Sequence, residues 1–320
     1  MKRERPTTSR GLLILACGFL LLLACGVAHA QSGTSSVRGT VTDPQHNVVA
    51  GATVTLTSTE TNAARTQTTN ESGAFSFELL PPGPYRLGVE AAGFKKAAVT
   101  DVQALISKPT ELSVALEVGN VTETVTVAAG AGEVLLNTQD ATIGHNFVAQ
   151  QILQLPLEAR NPVSLLTLQP GVTREGNVTG ARSDQSNITL DGVDINEAQT
   201  NSIFAPVLRL NSEAIDEFRV VTTNANATEG RSSGAQIQLI TKSGTNDWHA
   251  TAFWSHRNTI FTANDFFSNR SGLKRPTLLR NTFGATLGGP IKRDRAFFFY
   301  SFEGRRDASQ AAIGARTVPL

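Results

Sequence analysis

Residues 296–303 read Ala296-Phe-Phe-Phe-Tyr-Ser-Phe-Glu303, and this alternating aromatic run decides the fold. Runs at 247–258 and 281–288 alternate in the same way, with too little apolar sequence between them for a soluble core. A membrane-spanning β-strand needs about 9–11 residues and carries aromatic belts at the bilayer surfaces. Residues 246–320 are therefore predicted to hold the first strands of a transmembrane β-barrel. In the last run the predicted lipid-facing residues are Phe298, Tyr300 and Phe302, and the lumen-facing residues are Phe297, Phe299, Ser301 and Glu303.

The first thirty residues have the pattern of a secretory signal peptide. Basic residues precede an apolar run at Gly11–Cys25, and Ala28-His29-Ala30 supplies the small residues of a cleavage site. The run is shorter than the roughly 20 apolar residues of a membrane-spanning helix. We predict a signal peptide at 1–30, with Ala28 and Ala30 at the cleavage site. The segment Leu23-Ala24-Cys25-Gly26 loosely resembles a lipidation site, so a lipoprotein is the alternative.

Removal of this segment restricts the chemistry of the mature chain. Cys17 and Cys25 are the two cysteines of the sequence, so no thiol remains for disulfides, metal thiolates or cysteine nucleophiles. Loss of four basic residues and one acidic residue leaves 24 basic and 26 acidic residues, a formal charge of −2 instead of +1. A nearly neutral chain lacks the basic surface that binds nucleic acid, and we predict no nucleic-acid partner.

Residues 31–118 predict a small β-sandwich. Alternating runs occur at 37–41, 52–56, 74–79, 85–89 and 110–116, with turn clusters between them. Short strands at this spacing are typical of a sandwich. The predicted inward-facing residues are Val54, Leu56, Phe75, Phe77, Tyr85, Leu87, Val89 and Phe94. The segments Gly39–Asp43, Gly51–Leu56, Thr69–Phe77, Leu80–Tyr85 and Gly93-Phe94 resemble the carboxypeptidase regulatory-like domain, a transthyretin-like sandwich whose name implies no peptidase activity.

Residues 119–145 contain one alternating strand, Val121-Thr-Glu-Thr-Val-Thr-Val127, before a glycine-rich stretch. An exposed strand of this kind can pair with the edge of a partner's sheet through main-chain hydrogen bonds. A linker strand that belongs to a neighbouring domain has the same pattern. The residues alone are consistent with both the partner strand and the linker strand.

Residues 146–245 mix helical and strand periods and predict an α+β domain. Val148, Ile152 and Leu155 can share one face of a short helix, and Asn161-Pro162 is a typical start for a second helix at 163–169. Strand patterns follow at 186–190, 217–222 and 235–241.

The turn at Asp191-Gly192-Val193 could belong to a calcium loop, because Asp194 and Asn196 follow closely. A calcium loop of the EF-hand type needs acids at alternate positions and glycine at the sixth position. Here glycine directly follows the first acid, and Asp-Gly after a β-branched run is a strong hairpin signal. We predict a tight turn and no metal site.

The sequence contains no catalytic motif of the common hydrolase, metalloprotease or nucleotide-binding types. His249 and His256 stand seven residues apart on a predicted strand, hence on opposite faces, which argues against a shared metal. We predict no catalytic residues, no metal, no cofactor and no enzymatic activity.

Several motifs, in order, resemble the plug domain and first barrel strands of TonB-dependent outer-membrane receptors of the Oar-like type. They are Leu155-Pro-Leu-Glu-Ala-Arg-Asn161, Leu168-Gln-Pro-Gly-Val172, Arg182 to Val193, Ile215-Asp-Glu-Phe-Arg-Val-Val221, Ala225 to Asn246, Arg257-Asn258, Asn264-Asp-Phe-Phe267, Arg280 to Lys292 and Phe297 to Arg305. The resemblance covers nearly all of residues 150–306. An ordered series of this length is far more specific than any single motif.

The resemblance implies a mainly β protein of the outer membrane: a transthyretin-like β-sandwich, an α+β plug at 146–245, and the start of a barrel of about 22 strands. In that family the strand at Glu123, Thr124, Val125, Thr126 and Val127 stands where a TonB-like energy-transducing protein binds. An unknown extracellular ligand is implied as the cargo.

The sequence has about three barrel strands, whereas a closed barrel needs about 8 or more. We therefore expect a truncated receptor, with the continuous reading frame extending further. Two rival functions stay open: a secreted or periplasmic module whose sandwich binds carbohydrate or peptide, and an accessory subunit of an enzyme. Outer-membrane fractionation favours the receptor, and a freely soluble product favours the binding module.

Overall fold

The structure is a computed structural model that describes residues 35–119, 124–128, 141–155, 157, 160–197, 199–200, 202–209, 211–226, 229–230 and 232–309. The predicted signal peptide with Ala28 and Ala30 lies outside the described residues, as does Glu123. The architecture is mainly β, as predicted. Among the described residues, no helix combines the length and apolar character needed to cross a membrane.

The N-terminal domain is a sandwich of two sheets. Its strands are β1 (Ser35–Thr42), β2 (Thr53–Ser58), β3 (Ala64–Thr68), β4 (Ala74–Leu80), β5 (Gly83–Glu90), β6 (Lys96–Ala104), β7 (Pro109–Ala115) and β8 (Thr124–Ala128). One sheet has the order β4-β1-β7, and the other has the order β3-β2-β5-β6-β8. β7 pairs with β1 and β8 pairs with β6, both in parallel, while the other pairs are antiparallel.

Alternate residues of the sandwich strands meet in one apolar core. Seven of the eight predicted inward-facing residues are buried, and the eighth, Phe94, packs against the cluster while partly exposed. β6 adds buried residues that the sequence analysis did not assign: Ala97, Val99, Val102 and Ala104. Burial of these side chains is the main source of stability for a domain of this size.

The central domain, residues 141–243, is built on one five-stranded sheet. Its elements are β9 (Ile143–Val148), α1 (Ala149–Gln154), 3₁₀ helices Pro162–Leu168, Ser183–Gln185 and Ser212–Ala214, β10 (Asn187–Leu190), β11 (Val193–Asp194), β12 (Ile215–Thr223) and β13 (Gln236–Thr241). The sheet order is β11-β10-β13-β12-β9, so β9 is an edge strand that pairs with β12. The core includes Phe147, Ile152, Leu166, Phe218, Val220 and Leu239.

Two helix predictions need correction in this domain. Val148 is the exposed N-cap of α1 and does not share the buried face of Ile152. The second helix is a 3₁₀ helix, although Asn161 caps it as predicted: the Asn161 side chain accepts a hydrogen bond from Val163 N–H, and Pro162 is the first helical residue.

The last described region is a three-stranded antiparallel sheet. β14 (His249–Asn258), 3₁₀ helix Thr259–Phe261, α2 (Phe266–Arg270), β15 (Leu278–Lys292) and β16 (Ala296–Ser309) form it, in the order β14-β15-β16. β15 and β16 are longer than the predicted runs at 281–288 and 296–303. The sheet is open, so the barrel is not closed within the described residues.

Candidate functional site

The three-stranded sheet has two chemically different faces. Its outer face carries exposed Trp254, Phe283, Leu287, Tyr300 and Phe302. On the inner face the Thr251 and Thr286 hydroxyls lie 2.6 Å apart, and Arg280 Nε donates to Asp307 Oδ1 at 3.0 Å. An apolar, aromatic outer face and a polar inner face are what a barrel strand requires in lipid.

The inner face of the three-stranded sheet contacts the central domain through β16 and β14. Asn211 Nδ2 donates to Ser301 Oγ at 2.9 Å, and Arg209 forms an ion pair with Glu303 at 3.8 Å. Arg160 lies with its guanidinium carbon 4.6 Å from the centre of the Phe253 ring. The predicted lumen-facing Ser301 and Glu303 therefore point at the central domain, while Tyr300 and Phe302 point away from it.

The predicted partner strand lies in the sandwich sheet. Thr124–Ala128 forms β8, which pairs in parallel with Lys96–Thr100 of β6. Val125 is half-buried and Thr126 is exposed. The segment is thus an ordered edge strand of the sandwich. This position is the one expected for a linker strand that belongs to a neighbouring domain.

A loop of the sandwich inserts a backbone donor into the central domain. The loop Leu105–Lys108 follows β6, and its Ile106 side chain is fully buried. Ile106 N–H donates to Glu217 Oε2 at 3.0 Å. Glu217 is itself buried on β12, so one carboxylate joins the two domains.

Glu217 has a further partner on the neighbouring strand β9. Asn146 of β9 donates its amide N–H to Glu217 Oε1. Asn146 Oδ1 accepts from Arg219 Nη1 at 3.0 Å. Burial raises the pKa of Glu217, while the hydrogen bonds from Asn146 and from Ile106 N–H act in the opposite direction. From the sequence, Glu217 is expected only to lie in a strand, although a carboxylate inside so apolar a strand signals a buried polar contact.

A second loop of the sandwich contacts Asn246, before β14, and the turn between β15 and β16. Asn246 N–H donates to Glu60 C=O at 2.9 Å. Asp294 Oδ1, in the turn between β15 and β16, accepts from Asn62 Nδ2 at 2.9 Å and from Asn246 Nδ2 at 2.8 Å. Burial raises the pKa of Glu60, and the nearby Asp216 carboxylate raises it further. Burial likewise raises the pKa of Asp216.

The predicted turn at Asp191, Gly192 and Val193 is a two-residue hairpin turn. Leu190 pairs with Val193 across it, and both central residues have positive φ, 49° for Asp191 and 82° for Gly192. Positive φ at both positions is the type I′ geometry that Asp-Gly favours. The Asp191 carboxylate accepts from Thr241 N–H at 2.9 Å and from Thr241 Oγ1 at 2.8 Å, which ties the turn to β13.

Among the described residues, no group of three or more histidine, cysteine, aspartate or glutamate side chains is placed to hold a metal ion. Asn196 uses its side chain within the hairpin, because Oδ1 accepts from Ile188 N–H at 3.1 Å and Nδ2 donates to Asn187 at 2.8 Å. These contacts give Asn196 a structural role.

Comparison with protein families finds two matches. Residues 36–117 match the carboxypeptidase regulatory-like domain, and residues 240–320 match an outer membrane beta barrel domain. The TonB-dependent transporter Oar of Myxococcus xanthus is 28% identical over 309 residues, which is 91% of this chain and 28% of Oar. The chain thus spans little more than a quarter of that relative.

Solved structures resemble the chain only in part. The siderophore receptor PirA from Acinetobacter baumannii covers 52% of this chain with 25% of its own, at 19% identity and a TM-score of 0.37. Hydroxyquinol 1,2-dioxygenase from Pseudomonas putida covers 29% of this chain with 59% of its own, at 12% identity and a TM-score of 0.24. Over most of its length the chain is therefore similar to the TonB-dependent transporter Oar, and the barrel-domain match and the two-faced sheet identify it as an outer-membrane protein.

Proposed function

We propose that the chain belongs to an energy-coupled receptor that carries an extracellular ligand across the outer membrane without chemical change. In this proposal the central domain is a plug, and β14 to β16 are the part of the barrel wall beside it. The observation that carries it is the inner face of β16, where Ser301 and Glu303 contact Asn211 and Arg209 while aromatic residues cover the outer face.

Strand β8 is the proposed attachment point for a TonB-like energy-transducing protein. It precedes β9, an edge strand of the plug sheet, so tension on β8 is transmitted along the chain to a strand with one neighbour. An edge strand with one neighbour can separate without disrupting the remaining strands. Separation of β9 would remove Asn146 from Glu217 and open the plug locally.

A deletion of the complete gene tests transport even while the ligand is unidentified. Wild-type and deletion strains are grown in the same complex medium, with and without a protonophore, and the depletion of each compound is followed by mass spectrometry. We expect at least one compound whose depletion requires both the gene and the proton gradient. Identical depletion profiles in the two strains, under conditions where the protein is present, would contradict transport.

Fractionation tests the competing function of a periplasmic binding module. The receptor is expected in the detergent-resistant outer-membrane fraction. Recovery of the protein in the soluble periplasmic fraction would favour a carbohydrate- or peptide-binding sandwich instead.

A further inference from the structure

The outer face of the three-stranded sheet carries one polar row among its apolar residues. Because the strands pair in register, His256 of β14, Asn281 of β15 and Arg306 of β16 lie side by side, and we call these three residues the polar row. Alternation places them on the same face as Trp254 and Phe302. His256 Nδ1 donates to Asn281 Oδ1 at 2.8 Å, and the His256 ring stacks on Trp254 with 5.6 Å between the ring centres.

The connections between the strands indicate which end of the sheet is extracellular. Residues 259–277 connect β14 to β15, whereas only residues 293–295 connect β15 to β16. Outer-membrane barrels have short periplasmic turns and longer extracellular loops. The end with the long connection is therefore the extracellular end, and the polar row lies toward it on all three strands.

The polar row lies near the outer boundary of the apolar band. At the short-turn end, Trp248 and Phe298 meet edge to face with ring centres 5.6 Å apart, as expected for a periplasmic aromatic belt. Arg306 is eight residues beyond Phe298 on the same face. At about 3.4 Å per residue and a tilt of about 40°, this spacing is roughly 20 Å along the membrane normal, whereas the apolar band is about 25 Å tall. A long side chain at this level can extend to the lipid headgroups.

Arg306 is exposed, and the outer face of the described strands offers it no carboxylate. On the inner face, in contrast, Arg280 and Arg305 both form ion pairs with Asp307. An arginine that faces lipid without a partner is costly, so we expect its counter-ion to come from outside these strands. The residues of the two rows beside the polar row are Trp254, Phe283 and Gly304 on one side, and Asn258, Leu279 and Ala308 on the other.

The chemistry of the polar row fits a lipid phosphate. A guanidinium presents paired N–H donors whose spacing matches two phosphate oxygens. Asn281 accepts from His256 through Oδ1, so its amide N–H groups can serve as further donors. On the side of the membrane centre, Trp254 and Phe283 present exposed apolar surface to acyl chains.

We propose that the polar row binds the phosphate of an anionic lipid in the outer leaflet, with the acyl chains of that lipid over Trp254 and Phe283. The inference rests on the proposed function, in which β14 to β16 belong to the barrel wall. The bound phosphate supplies the charge that Arg306 lacks on this face, and it fixes the level of the sheet in the membrane.

Quenching of Trp254 fluorescence by brominated lipids tests the site. The full-length receptor is reconstituted in phosphatidylcholine nanodiscs that contain either brominated phosphatidic acid, whose headgroup is a phosphate monoester, or brominated phosphatidylcholine. The difference between the receptor and its Trp254→Phe variant isolates the Trp254 signal. We expect brominated phosphatidic acid to quench Trp254 with an apparent affinity about fivefold higher than that of brominated phosphatidylcholine.

Three variants locate the source of this preference. Arg306→Gln removes the charge and should reduce the preference to about one, while Trp254 is still quenched. Arg306→Lys keeps the charge but loses the paired donors, so it should retain part of the preference. As the matched control, Arg293→Gln makes the same change in the turn at the periplasmic end and should leave the preference at Trp254 unchanged.

The outcomes separate the inference from the proposed function. Quenching without preference in the unaltered receptor would overturn the lipid site but keep the sheet in the barrel wall, and a carboxylate elsewhere in the full-length receptor would then be the counter-ion of Arg306. Absence of quenching by either lipid would show that Trp254 does not meet lipid, which contradicts the barrel-wall position itself. A preference that survives Arg306→Gln, or that Arg293→Gln abolishes equally, would also overturn the site.

Discussion

The sandwich and the three-stranded sheet use the same alternation of apolar and polar residues for opposite purposes. In the sandwich, alternate residues such as Phe77 turn inward and are 1% exposed. In the three-stranded sheet the aromatic residues turn outward, and Tyr300 is 61% exposed. A strand pattern of period two therefore fixes which residues share a face, but the surroundings decide whether that face meets protein or lipid.

The largest effect is expected in the sandwich core. Phe77→Ala leaves a cavity in a packed apolar cluster and should lower the free energy of unfolding of this domain by about 3–5 kcal/mol. Phe283→Ala on the outer face of the sheet leaves no cavity and should cost clearly less. Hydrogen exchange of the full-length receptor in a lipid bilayer, followed on peptides of each region, measures both. Equal losses would remove the distinction between the two faces.

A charge on the outer face of the three-stranded sheet is expected to cause the next largest loss of stability. Phe302→Arg should reduce the stability of the inserted sheet by about 2–4 kcal/mol near the bilayer centre, because lipid cannot solvate the guanidinium. Phe302→Leu keeps the face apolar and serves as the control. Resistance of the membrane-bound protein to urea measures the effect. If Phe302→Arg and Phe302→Leu assemble equally well, this face does not meet lipid.

These two predictions depend on residues that the sequence assigned correctly, but two strands of the sandwich were not predicted. β3 reads Ala-Arg-Thr-Gln-Thr and is exposed at every position, so it has no apolar alternation to detect. In β6 the buried positions change phase, from Ala97 and Val99 to Val102 and Ala104. Asp101, with φ of 60°, lies at that change, where the register with β5 shifts. An inserted residue of this kind is a β-bulge, and it breaks the alternation on which strand prediction relies.

The junction between the sandwich and the central domain also lay beyond sequence reasoning. The Ile106–Glu217 contact joins residues 111 positions apart, and its donor is a backbone amide that any residue would supply. The Asp191–Gly192 turn, in contrast, was predictable because its geometry depends on two adjacent residues. Local conformational rules can be read from a sequence, whereas a polar contact between domains requires the fold.

The junction should respond to substitution less strongly than either apolar face. Glu217→Ala leaves Ile106 N–H and the Asn146 amide without their acceptor, at a cost of about 1–3 kcal/mol. Glu217→Gln keeps one acceptor oxygen and should retain part of that stability. Exchange of the Ile106 amide reports the contact directly. Unchanged protection of Ile106 in Glu217→Ala would show that this carboxylate does not hold the sandwich.

The hairpin turn of the central domain is expected to show a smaller effect. Gly192→Val places a β-branched residue at φ of 82°, which should cost about 1–2 kcal/mol, whereas Gly192→Asn should be tolerated. Thermal unfolding of the receptor compares the two variants. Added calcium should leave the melting temperature unchanged, since the Asp191 carboxylate is occupied by Thr241. A rise in melting temperature with calcium would restore the metal-loop interpretation.

The smallest expected effect is the pH dependence of the junction, and it has a definite sign. Burial raises the pKa of Glu217 and of Glu60 above their ordinary value of 4.5, and that of Asp216 above 3.8. These carboxyls bind protons more tightly in the folded junction. Their contribution to the stability of the junction is therefore fully present at pH values below their ordinary pKa values, and it is lost as the pH rises through the raised pKa values.

Protection of the Ile106 amide, corrected for the intrinsic pH dependence of exchange, should therefore increase as the pH falls from about 7.5 to about 5. The increase should be smaller in Glu217→Gln, which removes one of the three titrating groups but keeps an acceptor for Ile106 N–H. An equal increase in both proteins would assign the pH dependence to Glu60, in the second loop of the sandwich, and to Asp216 of β12. A decrease would mean that the hydrogen bonds to Glu217 outweigh its burial.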